Sequence, residues 1–420
     1  MFSLRIFSPE YSGVIQKLQS HACALFRLRA RPLCLSQQHI VRSMSELSDS
    51  AKANPFSPGL SEKDQMYNYL GQTGVKVSNI GLGTMTFGTC HIGRPGQVDE
   101  ALGVRILNRY LELGGNLIDT ANMYGSGEAE EIIGKWLSTV DRNRVVLASK
   151  VRFMTDRTNP NAVGLSRKTI MWNVETSLRR LQTDHLDIYQ IHCWDAGIKL
   201  EELLRTMDDL VKSGKIRYIG ASNLTGWQLQ KMADYSKFLG LNPLVCVQMQ
   251  YNLLNREVEM EHADVCRNEG IGILAWSPLK GGLLTGKASR ETGAPEGSRM
   301  NFTDSNPAIQ WESHPRLSMY KEDHKVWDLL DLMRQIAEEH NKSVAQVALR
   351  WVLQKDIVSS VLTGIKTVEQ LESNMEAVHG WQLTDSQMKA LDEASSCPGV
   401  YPYSFSNKHN RDRVRSNWCK

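Results

Sequence analysis

Eight cysteines are scattered from Cys23 to Cys419 in this 420-residue chain, yet none forms a Cys-x-x-Cys pair. Disulfide frameworks and zinc sites need matched thiol spacings, so the pattern points to free thiols in a reduced, intracellular setting and to no metal site. The chain also lacks any run of about 18 apolar residues, which argues against a membrane-spanning helix. Charge of neither sign dominates: 49 Lys and Arg stand against 46 Asp and Glu, a formal net charge of +3. A dedicated nucleic-acid binder would show a clear basic excess. No Gly-x-Gly-x-x-Gly leads from the first strand-like segment into a helix, which lowers the case for a Rossmann domain.

What is present begins unevenly. Between Met1 and Ser43 the bases Arg5, Lys17, Arg27, Arg29, Arg31 and Arg42 face one acid, Glu10. An Arg-rich, acid-poor leader has the composition of a mitochondrial transit peptide. Met44-Ser45-Glu46-Leu47 would equally serve as a cytosolic start. We place the protein in the cytosol, with the mitochondrial matrix as the alternative. Residues 1–65 are read as extension and linker, 66–400 as one oxidoreductase domain, and 401–420 as a tail.

From Tyr67 the pattern is regular. Tyr67–Leu70, Gly71–Gly74 and Val75–Val77 read as a β-hairpin. Eight short apolar segments then begin at Ile80, Leu117, Val145, Leu186, Ile216, Leu244, Gly272 and Val358, each followed by helical periodicity. Such alternation implies an α/β fold with a parallel sheet and right-handed crossovers. Eight units closing on themselves predict a (β/α)8 TIM barrel, with an open doubly wound sheet as the alternative. After the seventh strand, residues 277–320 are rich in Gly, Pro, Ser and Asn and are expected to form a long lid loop at the barrel mouth.

Three of the apolar segments end in different polar residues. Asn116-Leu117-Ile118 runs into Asp119, with Tyr124 five residues on; Val145–Ser149 runs into Lys150; Leu186–Ile191 runs into His192. In a parallel barrel the C-terminal strand ends share one mouth, so these four groups could form a proton-handling site. Singly, each has a plainer reading: a loop-capping carboxylate, a turn aromatic, a snorkelling lysine, a structural histidine. Their joint occurrence at strand ends favours the site.

The segment Gly115–Gly125, with Glu128 and Gly134, resembles the signature of the aldo-keto reductases. Gly81–Met85, Ser149-Lys150, Gln190–His192, Gly220–Asn223, Val247-Gln248, Trp276–Leu279, Gly286-Lys287 and Gln370-Leu371-x-x-Asn374 follow in the order of that family. The resemblance runs from about Tyr67 to Cys397. It is closest to bacterial reductases and potassium-channel β subunits.

The resemblance implies a catalytic tetrad of Asp119, Tyr124, Lys150 and His192 acting on a small-molecule carbonyl substrate. Tyr124 would donate the proton, Lys150 would favour its phenolate, Asp119 would hold Lys150, and His192 would orient the carbonyl oxygen. In the channel β subunits the position of His192 is often asparagine, so the histidine favours a working reductase over an NADP(H)-sensing regulatory subunit. An isomerase or lyase on the same barrel would not need the cofactor-side residues.

NADPH/NADP+ is the implied cofactor, because no side chain supplies a hydride. By the resemblance Ser222, Asn223 and Gln248 would bond the carboxamide and Trp276 would stack on the nicotinamide. Ser277, Pro278 and Leu279 would contact ribose or pyrophosphate, with Lys287 near phosphate and Arg299 a further phosphate candidate. Thr84, Met85 and Asp119 complete that wall. Gly364-Ile365-Lys366-Thr367 precedes a helix carrying Gln370 and Asn374, and a helix N-terminus is a natural phosphate seat. Lys366 would add charge for a 2′-phosphate, favouring NADPH. Ser373 stands where the family often has an adenine-contacting glutamate.

Overall fold

A computed structural model describes residues 66–89, 96–306 and 316–410. The leader and linker readings, and the far end of the tail, lie outside the described residues. Two short strands, β1 (Tyr67–Tyr69) and β2 (Lys76–Ser78), pair antiparallel as the expected hairpin. Eight strands then close a parallel barrel: β3 (Ile80–Gly83), β4 (Leu117–Asp119), β5 (Val146–Val151), β6 (Leu186–Ile191), β7 (Ile216–Ser222), β8 (Leu244–Gln250), β9 (Gly272–Trp276) and β10 (Val358–Gly364), with β10 returning to β3. The closed order excludes the open doubly wound sheet.

Helices cover the outside. They are α1 (Glu100–Glu112), α2 (Glu128–Leu137), α3 (Arg167–Leu181), α4 (Leu200–Lys212), α5 (Gly226–Leu239), α6 (His262–Glu269), α7 (Arg299–Ser305), α8 (His324–Glu339), α9 (Val344–Leu353), α10 (Val368–Met375), α11 (Asp385–Ala394) and α12 (Tyr403–His409). Their starts carry the expected chemistry. Asp99, Ser166, Ser343, Thr367 and Thr384 each accept a backbone N–H of the first turn. None of the described helices is long and apolar enough to cross a membrane.

Side-chain alternation along the strands builds the barrel interior in layers. At the base, Leu117, Ala148, Ile188, Cys246, Leu274 and Leu362 pack with Leu70 and Val77 of the hairpin. The hairpin is therefore a floor. A second, larger core lies between strands and helices, filled by residues such as Ile118, Leu147, Tyr189, Trp136 and Trp351.

Two features differ from what the sequence pattern predicts. The helical periodicity that follows the strand beginning at Leu244 is split into a 3-10 turn, Glu257–Glu259, and α6, because Glu261 leaves helical geometry at φ −136. The insert after β9 is less irregular than its composition suggests: a 3-10 segment at Lys280–Thr285, α7, and a 3-10 turn at Leu317–Met319. It is tied to α8 through Arg290, which lies 5.6 Å from the Trp327 ring and bonds His324. The C-terminal segment read as tail carries α12, whose Tyr403 hydroxyl donates to Glu261 at 2.7 Å.

Candidate active site

Two residues above the apolar floor, the inward positions turn polar. Leu117 gives way to Asp119, Ala148 to Lys150, Ile188 to Gln190 and then His192, and Cys246 to Gln248. Strand pairing sets them side by side: Asp119 is level with Ala148, and Lys150 with Gln190. Gly220 on β7 makes the room they need. A Cβ there would sit 2.8 Å from Gln190 Cγ and 2.9 Å from Cys246 Sγ.

Lys150 is wholly buried, and its ammonium uses all three donors. It bonds Asp119 Oδ2 at 2.5 Å, the Thr120 carbonyl at 2.9 Å and the Tyr124 hydroxyl at 3.3 Å. The other Asp119 oxygen accepts from Gln190 Nε2 at 3.1 Å and Gln248 Nε2 at 2.8 Å. A buried ion pair endures only when its geometry is good and its remaining polar sites are filled. Both conditions hold here. Tyr124 is brought in by a tight turn, Tyr124–Gly127, in which Gly125, Ser126 and Gly127 all have positive φ.

His192 lies between two rings. Tyr124 stands edge-on at 5.8 Å between centroids, and Phe153 at 4.6 Å. Its Nδ1 is buried with no hydrogen-bond partner among the described residues. Burial, with Lys150 adding to it, holds the imidazole well below its ordinary pKa, so the ring is neutral near pH 7. Lys150 goes the other way: burial pulls it down, but Asp119 and Tyr124 together outweigh that and keep it charged. For Tyr124 burial dominates and raises the phenol above its ordinary value, while Lys150 opposes it. From the sequence alone, the neighbouring ammonium is expected to acidify the phenol. Its pull is there, but desolvation is larger, and the hydroxyl keeps its proton near neutral pH.

The residues read as carboxamide ligands form one connected row. Ser222 Oγ donates to the Gln248 carbonyl at 2.8 Å, Asn223 Nδ2 to the His192 carbonyl at 2.9 Å, and Trp276 Nε1 to Asn223 Oδ1 at 3.2 Å. Asn223 (φ 53) and Ser277 (φ 54) both occupy the left-handed region at the mouth. Such geometry concentrates at ligand sites.

Residues 79–396 match the profile of the aldo/keto reductase family. The chain belongs to the aldo/keto reductase family. It is 39% identical over 345 residues to an uncharacterized oxidoreductase, YrpG, of Bacillus subtilis (strain 168), an alignment covering 79% of this chain and 97% of the relative. Norsolorinic acid reductase B of Dothistroma septosporum is 31% identical over 82% of this chain and 85% of its own. An aryl-alcohol dehydrogenase of Pestalotiopsis microspora is 29% identical over 79% and 82%. The chain is thus an oxidoreductase of a family that reduces carbonyls and generally uses nicotinamide cofactors.

The remaining residues read as cofactor ligands fall into two further groups. Thr84 donates to the Asp119 carbonyl at 3.0 Å, and half-buried Met85 follows it. Gly83 pairs with Gly364 across β3 and β10, and Thr86 Oγ1 donates to the Ile365 carbonyl. Lys366 N–H donates to Gln370 Oε1 at 3.0 Å, and Thr367 caps α10, which carries buried Asn374. The third group belongs to the insert: Ser277, buried Pro278 and Leu279 adjoin Trp276, Lys287 is exposed, and Arg299 is half-buried at the start of α7. Among the described residues no hydrogen bond joins Lys287 to the other groups.

Sequence reasoning assigned no role to several residues of the site. Gln190 was visible as an inward position two before His192. Phe153, beside His192, carries no local signal. Asn252 donates to the Ser277 carbonyl at 3.0 Å, and Lys280 bonds Asn255 at 2.5 Å, which together fix the start of the insert. Among the described residues no group of His, Cys, Asp or Glu is arranged to hold a metal.

Proposed function

We propose that this aldo/keto reductase reduces aldehydes and ketones to alcohols with NADPH, and that Tyr124 gives the proton to the carbonyl oxygen. The observation that carries this reading is the contact of the Tyr124 hydroxyl with a buried ammonium whose other donors are already occupied. Negative charge grows on the carbonyl oxygen during reduction, and donors placed in a dry pocket stabilise it strongly. Tyr124 is protonated, as a donor must be. Once the proton has left, Lys150 stabilises the phenolate. Asp119, held by Gln190 and Gln248, keeps Lys150 charged and aimed. A neutral His192 orients the carbonyl oxygen by a hydrogen bond.

When bound, a nicotinamide dinucleotide would supply the hydride that the carbonyl carbon accepts. The residues fit such a group. Trp276 presents a half-buried ring fixed through its N–H. Gln250, at the end of β8, has a buried amide nitrogen with no partner among the described residues. Arg299 has no acidic partner among the described residues, and burial lowers its pKa, so a phosphate would complete it. Trp276, Asn223 and Ser222 would hold the nicotinamide end, Ser277, Leu279 and Arg299 the pyrophosphate, and Lys366 with the α10 N-terminus the 2′-phosphate. The relatives named for aryl alcohols and norsolorinic acid, with the Phe153 ring 4.6 Å from that of His192, support aromatic carbonyls as substrates. In this reading residues 66–400 form the catalytic domain and the protein acts in the cytosol.

Steady-state assays on purified protein test the reading. Aldehyde-dependent oxidation of NADPH is expected with aromatic aldehydes first; none with any aromatic or aliphatic aldehyde would overturn it. Lys366→Ala should weaken NADPH binding about tenfold and leave NADH binding nearly unchanged, as expected for one lost charged hydrogen bond. An unchanged ratio of the two affinities removes Lys366 from the 2′-phosphate site.

A further inference from the structure

Outside the barrel wall, between α2 and α3, lies an ion pair that the proposed chemistry does not use. Glu130 on α2 is fully buried, and Arg180 on α3 is about one-fifth exposed. Arg180 Nη1 donates to Glu130 Oε2 at 3.2 Å and to the Asn122 carbonyl at 3.1 Å. The other Glu130 oxygen accepts from Ser149 Oγ at 2.7 Å. One carboxylate is thus bonded to the residue just before Lys150 and, through a single guanidinium nitrogen, to the residue two before Tyr124.

We infer that Glu130 and Arg180 form a brace that sets the spacing of Tyr124 and Lys150, with Arg180 a positioning residue for the proton transfer. The inference rests on the proposed roles of Tyr124 and Lys150. Two observations beyond the ion pair support it. Asn122 is held at three points: its N–H donates to the Lys150 carbonyl at 3.2 Å, its carbonyl accepts from Arg180, and its side-chain amide donates to Asn173 on α3 at 2.8 Å. The turn that presents Tyr124 is also shaped around the guanidinium. A Cβ on Gly127 (φ +104) would lie 2.3 Å from Arg180 Cζ.

Stability alone is a poor reason for this arrangement. Burial raises the Glu130 carboxyl against the pull of Ser177, Ser149 and Arg180, so the charge is held at a cost. Apolar residues of like volume often stabilise a core as well as a buried ion pair does. They could not bond the Asn122 carbonyl and the Ser149 hydroxyl together. Those two bonds add to the Asn122 N–H bond to the Lys150 carbonyl in registering the Tyr124 turn against the Lys150 strand.

The test compares Arg180→Met, Arg180→Lys, Glu130→Gln and Tyr124→Phe in the full chain, with kcat and KM for an aromatic aldehyde and NADPH affinity from tryptophan quenching. A displacement of about 1 Å at the reacting groups can cost about a hundredfold, so Arg180→Met should lower kcat by about ten- to a hundredfold while KM and NADPH affinity stay within about twofold. Arg180→Lys should recover most of kcat, because one nitrogen makes both bonds. A folded Arg180→Met with wild-type kcat, or one that loses kcat, KM and NADPH affinity together without rescue by lysine, overturns the brace. If Arg180→Met does not fold, the isosteric Glu130→Gln decides: a lowered kcat at unchanged NADPH affinity supports the brace, and wild-type kcat overturns it. Tyr124→Phe separates the two levels. Full turnover in that variant overturns the proposed role of Tyr124, whereas its loss beside an unimpaired Arg180→Met overturns only the brace.

Discussion

The floor and the upper layer of this barrel are built on the same strands, one inward position apart, and their chemistry is opposite. Leu117, Ala148, Ile188 and Cys246 close the base against Leu70 and Val77 of the hairpin, with no polar side chain among them. Asp119, Lys150, Gln190 and Gln248, the next inward residues, form a bonded polar network. The floor stabilises by removing apolar surface from water. The upper layer places a buried cation and anion where desolvation opposes both, and tolerates them because every donor of Lys150 has an acceptor. One end of the barrel carries stability and the other carries chemistry.

The largest expected effect tests whether the upper layer is a unit. Lys150→Met leaves the Asp119 carboxylate buried without its cation and should destabilise the fold by about 3–5 kcal/mol. Its turnover should fall about a hundred- to a thousandfold, the scale of a lost charge-stabilising donor. Chemical denaturation and steady-state kinetics on the same preparation measure both. Loss of turnover without loss of stability would show that the pair is less buried than described.

The converse variant probes the floor. Leu70→Ala should cost about 2–5 kcal/mol, as for other core truncations that leave a cavity. The kcat and KM of the folded variant should match the parent, because the floor touches none of the reacting groups. A kinetic change comparable to that of Lys150→Met would dissolve the division between the layers.

A smaller effect concerns acid. The folded-state pKa of His192 lies well below its ordinary value of 6.5. As pH falls through about 6.5 the unfolded chain takes up this proton and the folded chain does not, so His192 contributes a loss of stability on acidification, at most about 1.4 kcal/mol per pH unit. His192→Gln should therefore lose less stability than the parent between about pH 6.5 and 5. Thermal melts across that range measure it, and parallel slopes would mean that the imidazole is not held neutral by burial.

Much of this was legible in the sequence because it was periodic. The eight strands showed as short apolar runs, and the barrel followed from their alternation with helices. Asp119, Lys150 and His192 were visible because each closes such a run. The break before α6 was not, since it depends on how Glu261 packs against Gly226, where a Cβ would lie 2.3 Å from that of Glu261. Phe153 carries no signal because its role depends on the fold bringing it to His192. The Arg180–Glu130 pair was also hidden: it joins two helices, and nothing in either one marks the other as its partner. The balance at Tyr124 was misjudged because desolvation is a property of the packed site, whereas a neighbouring lysine can be read from the chain.

The measurement closest to the central claim is turnover of Tyr124→Phe beside its affinity for NADPH. The account predicts that kcat falls by about a hundredfold or more, the scale of a lost general acid. Tryptophan quenching by NADPH should be unchanged, because the phenol hydroxyl is not among the proposed cofactor contacts. Turnover near that of the parent with intact NADPH binding would contradict the account and move the proton donor elsewhere, with His192 the first candidate to test.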